Sequence, residues 1–340
     1  MKKRFLGIMI AAVFMFSMWS PKTMVASAEP VVLKLASFEP PQGFNVSKVF
    51  IPLVEKINQD GKGVIKIETF FGGTLGRDVL QQLQLLKDGV ADIVHIVNAY
   101  HPGQLVDDQV VNTPFMAEKC LDCTLAVDFL QKKNLMRGYD DLVIIGQICL
   151  DQYNIHTNFP VKVPSDLKNR KIRTAGKMQH ALVLACGGTP IAMPITKVAE
   201  NISRGVIEGT ISDWNGMQTF RINDVAKYHC QVRMGTTLLM LAMMKKKYES
   251  LPAEARAVLD RYRGKYTSVF WAERMDEAMD GIRKKITSDP EHELYKPTAE
   301  ELEQWKAALN PVIESWDKEN ERWDELIRAY EKGLTLAEDK

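Results

Sequence analysis

The chain has 340 residues, with 44 Lys and Arg against 43 Asp and Glu, for a formal net charge of +1 at pH 7. That near balance, with no basic block interleaved with aromatics, gives a nucleic-acid role no support. The length is too great for one typical core and suits two domains.

The start reads as a leader. Residues 1–4 are basic, residues 5–19 are apolar apart from Ser17, and Ala26-Ser27-Ala28 is a small-x-small cleavage pattern. The apolar run is shorter than the ~20 residues of a membrane span. The expectation is an exported, periplasmic protein whose signal peptide, residues 1–28, is removed after Ala28. No second long apolar stretch follows.

In the mature chain, residues 31–37 (VVLKLAS) read as a strand. Residues 44–58 place Val46, Val49, Phe50, Leu53, Val54 and Ile57 at helical spacing before Gly61 and Gly63. A second strand (64–70), a second helix (78–88, with Val79, Leu83 and Leu86 inward) and a third strand (91–97) complete a βαβαβ pattern. That order predicts a parallel sheet with right-handed crossovers. Five cysteines are an odd number for an exported chain. Cys120-x-x-Cys123 reads as a local disulfide or as two thiols under a helix start, since no second such pair supports a metal site. Cys149, Cys186 and Cys230 sit in apolar surroundings as core thiols.

A second α/β set begins near residue 150, with strands at 153–157, 170–174, 190–193 and 207–212. Residues 236–244 form a further buried strand. Ser250 and Pro252 open one long helical stretch to about Ile286, long enough to lie across both units. Leu302, Trp305, Leu309, Trp316, Trp323 and Ile327 then share roughly one helical face, the mark of core packing. The expected fold is α/β: a first lobe over residues 29–150, completed by about 236–260, a second over 151–235, and spanning and C-terminal helices over 251–340. Several crossings between lobes make a hinge.

Local catalytic motifs are absent: no G-x-S-x-G, H-E-x-x-H, Walker loop or G-x-G-x-x-G is present. The glycines of FFGGTLGR, residues 70–77, lack the Gly-Lys-Ser/Thr ending and read as a tight strand-to-helix turn. What remains is Arg173, closing the strand RKIRT. Ligands of open α/β sheets sit outside the carboxyl ends of strands, where an arginine offers a planar fork to a carboxylate. The competing reading is a surface arginine paired with a neighbouring acid.

From Leu33 to about Leu259 the chain resembles the substrate-binding proteins of tripartite ATP-independent periplasmic (TRAP) transporters, of the DctP type. The phrases that carry the resemblance are GGTLGRDVLQQLQLLKDGVADI, YHPGQL with TPFM after it, DLKNRKIRTAG, GGTPIAMPITKVAENISRGVIEGTISDWNG, KYHC and MMKKKYESLPAEARAVL. The resemblance implies a two-lobed periplasmic-binding-protein-like receptor with no catalysis, cofactor or metal. Such a receptor closes over a small organic acid and delivers it to the small and large integral membrane subunits of a permease. By position the family's carboxylate-binding arginine falls on Arg173 and its ligand-contacting asparagine on Asn215, with Trp214 beside it lining the pocket. Here Glu208-Gly209 stands for the usual Asp-Gly, and Trp-Asn-Gly for Glu-Asn-Pro. Many members carry a second arginine on the strand entering the second lobe. This chain has Gln152, Tyr153 and Asn154 there, which points to a ligand with one acidic group, a monocarboxylate with an aromatic or branched body. Phe38, Phe44, Asn98 and Tyr100, in loops after first-lobe strands, are the candidate wall. Two rival readings use the same cleft: a secreted α/β hydrolase-like enzyme, and a periplasmic sensing module that docks on a receptor.

Overall fold

The computed structural model describes residues 29–316 and 322–338. The expected leader at residues 1–28 lies outside them. Two sheets organise the chain. The first contains β1 (Val31–Ala36), β2 (Ile65–Phe70), β3 (Ile93–Val97), β4 (Leu142–Cys149) and β10 (Leu238–Met244), in the order β2-β1-β3-β10-β4. The second contains β5 (Asn154–Thr157), β6 (Lys171–Thr174), β7 (Thr189–Ala192), β8 (Gly209–Ser212), β9 (Tyr228–Cys230) and β11 (Glu293–Tyr295), in the order β11-β9-β5-β8-β6-β7. Each has a parallel core, β2-β1-β3 and β8-β6-β7, as βαβ units require. Antiparallel neighbours then enter each core: β10 beside β3 and β4, and β5 beside β8 and β9. Every residue of β3 is buried, the pattern of a strand covered on both faces.

Two crossings between the sheets pair with each other. Tyr153 N donates to Gly235 O (2.8 Å), Met234 N to Tyr153 O (2.7 Å), and Leu150 N to Thr237 O (3.0 Å). Gly235 has φ +77°, and a Cβ there would come within 2.1 Å of Asn112 O, so glycine is required where the chain re-enters the first lobe.

The single long helix expected over 250–286 is two helices, Ala253–Asp260 and Lys265–Thr287, preceded by a short one, Lys245–Ser250. Pro252 precedes Ala253–Asp260. Gly264, at φ 67° and ψ −125°, breaks the path before Lys265–Thr287. Its N–H donates to Ile145 O (2.9 Å), which ties the break to β4. The last helix has 23 residues, about 34 Å at the usual rise, and packs on both β4 and the helix Trp214–Thr219.

The tryptophan stripe is split between two helices. In Ala299–Trp316, Trp305 is buried and donates from Nε1 to Lys162 O (2.9 Å), so this helix packs on the second lobe. Trp323–Glu338 packs on Cys120–Lys132 of the first. All five cysteines are free and buried; the disulfide alternative for Cys120 and Cys123 does not form. Cys123 Sγ instead lies 2.6 Å from Tyr330 Oη. The chain at Cys120 is held by Asp276, which accepts from the N–H groups of Cys120 and Leu121 (2.8 and 3.0 Å). Among the described residues no helix is long and apolar enough to cross a membrane.

Candidate ligand site

The carboxyl ends of the parallel strands meet where the two sheets face each other. Phe38 and Glu39 follow β1, Tyr100 follows β3, Arg173 lies in β6, Ile195 follows β7, and Asp213 and Asn215 follow β8. They line one small cavity of about 30 Å³, together with Leu150 and Tyr153 from the first crossing and Phe220. This is the position the topology assigns to a ligand in an open α/β sheet.

Arg173 is 1% exposed. Its Nε donates to Met193 O (2.9 Å), Nη2 to Tyr100 Oη (2.8 Å) and Nη1 to Ile211 O (3.4 Å). A guanidinium has five N–H donors, so one on each terminal nitrogen remains. Among the described residues no carboxylate forms an ion pair with it; the surface-pair alternative is replaced by a buried cation held by carbonyls and a phenol. Tyr100 Oη also accepts from Ile195 N (2.9 Å). Tyr100 therefore bonds two second-lobe segments from a first-lobe loop. Phe38 and Phe220 stack across the same boundary at 6.4 Å. On the other side of Tyr100 lies a wider groove of about 580 Å³, lined by apolar residues with Lys177 and His180.

Two buried acids share the cavity with Arg173. Glu39 Oε1 accepts from Asn45 Nδ2 (2.7 Å), and Asn45 Oδ1 accepts from Trp271 Nε1 (2.8 Å). Because an indole only donates, this chain fixes the amide so that its nitrogen faces Glu39. Asp213 caps the helix Trp214–Thr219, its Oδ1 accepting from Gly216 N (3.3 Å). Glu39 Oε2 and Asp213 Oδ2 have no hydrogen-bond partner. Burial pushes the Glu39 carboxyl up to about 7, against the Asn45 bond, and the negative Asp213 adds to the rise. Burial likewise raises Asp213 to about 6, against its backbone N–H bonds and Arg173.

Of the eight residues singled out in the sequence, the structure brings five to the cavity: Phe38, Tyr100, Tyr153, Arg173 and Asn215. The other three sit elsewhere. Trp214 is buried behind the cavity, 4.9 Å from the His156 ring and 5.0 Å from His229. Phe44 starts the turn leading into the helix Ile51–Asp60 and packs on the first-lobe core. Asn98 is tied to Asp108 (2.7 Å) and Tyr139 (2.9 Å) in a neighbouring polar cluster. Glu39, Asn45, Asp213 and Phe220 were not singled out. Glu39 and Asp213 could have been found from the rule that marked Arg173, since each lies within three residues of a parallel strand's carboxyl end.

Behind Trp214 three histidines form a directed chain. Lys227 Nζ donates to His292 Nε2 (3.2 Å), His292 Nδ1 to His229 Nε2 (2.8 Å), His229 Nδ1 to His156 Nδ1 (2.8 Å), and His156 Nε2 to Ser212 O (3.2 Å). An ammonium at one end and a carbonyl at the other fix every tautomer. All three rings are held neutral: burial lowers His156 to about 3 and His229 to about 2, and lowers His292 as well. The chain pins the end of β8 just before Asp213.

Residues 37–319 match the family model of the bacterial extracellular solute-binding proteins, family 7, DctP. The chain belongs to this family. It is 25% identical over 320 residues to the C4-dicarboxylate-binding periplasmic protein DctP of Rhodobacter capsulatus, covering 91% of this chain and 92% of that protein. Among solved structures it is similar to a marine metagenome TRAP solute-binding protein specific for aromatic acid ligands, solved with 3-hydroxybenzoate. There the TM-score is 0.86 at 27% identity, covering 91% of this chain and 99% of that one. The TRAP solute-binding protein of Shewanella oneidensis, solved with succinate, shares the fold at TM-score 0.78 and 19% identity, covering 91% and 99%. The two-lobed receptor fold and the transport family read from the sequence thus stand. This is a family of solute receptors, and nothing favours the hydrolase or sensing readings.

Proposed function

We propose that this protein is the periplasmic receptor of a TRAP-type permease. It binds a small organic monocarboxylate, aromatic or branched, between its lobes and hands it to the small and large integral membrane subunits. Arg173 carries the reading: a fully buried guanidinium, with no ion-paired carboxylate among the described residues, on the wall of the inter-lobe cavity. A carboxylate would take its two remaining N–H groups as a bidentate pair.

The surroundings argue for one acidic group. Relatives of the chain include proteins solved with 3-hydroxybenzoate and with succinate, so family membership leaves both classes open. In this cavity Arg173 is the single cation and two acids are already buried beside it. A second ligand carboxylate would be desolvated without a counter-charge and against Glu39 and Asp213, which is costly. An apolar body would instead cover Phe38, Phe220, Leu150 and Ile195, at ~25 cal/mol per Å² removed from water.

A thermal-shift panel of mono-acids, di-acids, sugar acids and sulfonates tests the reading. Ligand at ~100 times its dissociation constant adds about 2.7 kcal/mol of stability. Aromatic or branched mono-acids should give the largest shifts; a panel led by C4-dicarboxylates or sugar acids would overturn the assignment.

A further inference from the structure

We propose that the ligand is an acid carrying a second group that donates hydrogen bonds, an amine to both Glu39 and Asp213 or a hydroxyl to one of them, while Arg173 holds the carboxylate. The inference rests on the monocarboxylate reading and deepens it. Its basis is a mismatch between the cavity's wall and a plain aromatic or branched acid. Such a ligand offers oxygens to Arg173 and carbon everywhere else.

The wall is not carbon everywhere else. Glu39 and Asp213 are 3% and 1% exposed, both line the cavity, and each keeps one carboxyl oxygen with no partner. Leaving a buried acceptor unpaired is costly, and two in one cavity is a feature to be explained. Their other oxygens are firmly engaged. The Trp271–Asn45 chain holds Glu39 Oε1, and the helix start holds Asp213 Oδ1. The two orphaned oxygens are thus fixed in place by the scaffold, on two different lobes. An amine on the ligand would satisfy both and bridge the lobes on closure; a hydroxyl, with one proton to give, satisfies one.

Charge points the same way. Above neutral pH, where both raised acids are ionised, the trio of Arg173, Glu39 and Asp213 carries a net negative charge, so a bare anion there meets repulsion as well as its anchor. A donating group offsets that repulsion: a hydroxyl through its dipole, an ammonium through its charge. Sites built around a ligand's donor reject the analogue that lacks it, because the buried acceptor is then stranded.

Titration calorimetry on matched ligand sets tests this. One set is benzoate with its meta-hydroxy, meta-methoxy and meta-aminomethyl derivatives; the other is isovalerate with its alpha-hydroxy derivative and valine. On at least one frame a donor-bearing member should bind at least about tenfold tighter than its parent, and the methoxy compound, which cannot donate, should show no such gain. Glu39→Gln and Asp213→Asn then act as inversions. The amide oxygen keeps the existing bond to Asn45 Nδ2 or Gly216 N, and an NH₂ replaces the orphaned oxygen. For an amine-bearing ligand either variant should cut the donor preference at least about tenfold, and for a hydroxyl-bearing one the variant at the carboxylate it donates to should do so. An amine-bearing ligand should lose more than a hydroxyl, which can turn and accept. Unfolding midpoints near that of the wild type qualify a variant, and for an amine-bearing ligand the two substitutions are independent routes to the same answer. Parents that bind as tightly as their donor-bearing relatives on both frames would sink the donor proposal and leave the mono-acid reading intact. So would a preference that survives both substitutions. Binding of dicarboxylates alone would sink both.

Discussion

The phenol of Tyr100 and the guanidinium of Arg173 meet at 2.8 Å across the boundary between the two sheets. The first comes from a loop after β3 and the second from β6, so this bond exists only when the lobes are together. Its partner bond, from Ile195 N to the same oxygen, has the same property. The cation proposed to hold the ligand is therefore also part of the latch.

Replacing Arg173 by Ala should cost about 2–5 kcal/mol of ligand binding, as for truncating one partner of a buried, hydrogen-bonded charge pair. Arg173→Lys should lose most of that too, because an ammonium cannot reproduce the planar fork. Calorimetry showing near-native affinity in either variant would remove this side chain from the site.

Tyr100→Phe keeps the ring and deletes the shared acceptor. Two donors, Arg173 Nη2 and Ile195 N, would be left without that partner in the closed form, at about 1–3 kcal/mol. The expected result is ligand affinity about tenfold or more weaker, through faster dissociation. Stopped-flow traces with an unchanged off-rate would argue that the latch is incidental.

The small cavity of about 30 Å³ has room for little more than one or two waters. An organic acid must then enter an open form and be enclosed afterwards. Small-angle scattering should give a smaller radius of gyration with saturating ligand than without. An equal radius in both states would count against hinge closure.

Buried acids and buried histidines pull stability in opposite directions between mildly acidic and neutral pH. Glu39 rises from 4.5 to about 7 in the fold and Asp213 from 3.8 to about 6, both through burial. Asp108 and Asp151, also buried, rise to about 7. Between the ordinary and the raised values the folded state binds more protons than the unfolded one. These groups therefore contribute stability that is full below about pH 4 and lost as pH climbs through 6 and 7. Glu208 and Asp260 are lowered, and their contribution disappears only on the acid side of that window. The histidines oppose the raised acids: His95, His101, His156, His229 and His292 are all lowered by burial, so below their ordinary value of 6.5 the unfolded chain takes up more protons and stability is lost as pH falls. The acid contribution is isolated by difference: the urea midpoint of Glu39→Gln should rise relative to the wild type as pH goes from 5 to 8. A difference between Glu39→Gln and the wild type that stays constant or falls over this range would contradict the raised Glu39.

The histidine chain makes a spectroscopic prediction. At pH 6, nitrogen-resolved NMR should find His156, His229 and His292 neutral, with His229 protonated on Nδ1 and His156 on Nε2. An imidazolium at either buried ring would break the derived order of donors.

Most strands and the two-unit order were legible because strand periodicity and βαβ alternation reflect burial, which the sequence carries directly. β9 and β11 were not, since three-residue strands reading YHC and ELY carry no period, and neither was β4, whose LVIIGQIC is a largely apolar run without alternation. The break at Gly264 was hidden because apolar spacing continues through it from Val258 to Trp271; only backbone geometry separates the two helices. Arg173 could be read because an arginine closing a strand is chemically conspicuous. Trp214 could not be placed, since the residue after a helix cap turns inward or outward according to what packs there, and here three histidines do. Glu39 looked like an ordinary loop acid until Trp271 and Asn45, far along the chain, were seen to hold it.

β10 lies between β3 and β4, yet it is made after the whole of the second sheet's central strands. As the chain leaves the ribosome, β3 and β4 must wait for a neighbour that arrives about ninety residues after β4, a delay that raises the entropic cost of closing the first sheet. Until that strand is inserted, the apolar edges of β3 and β4 are open to wrong partners. The order of synthesis therefore leaves the cleft incomplete until both sheets' central strands have been made. A chain truncated before Leu238 should be a client for chaperones rather than a half-receptor.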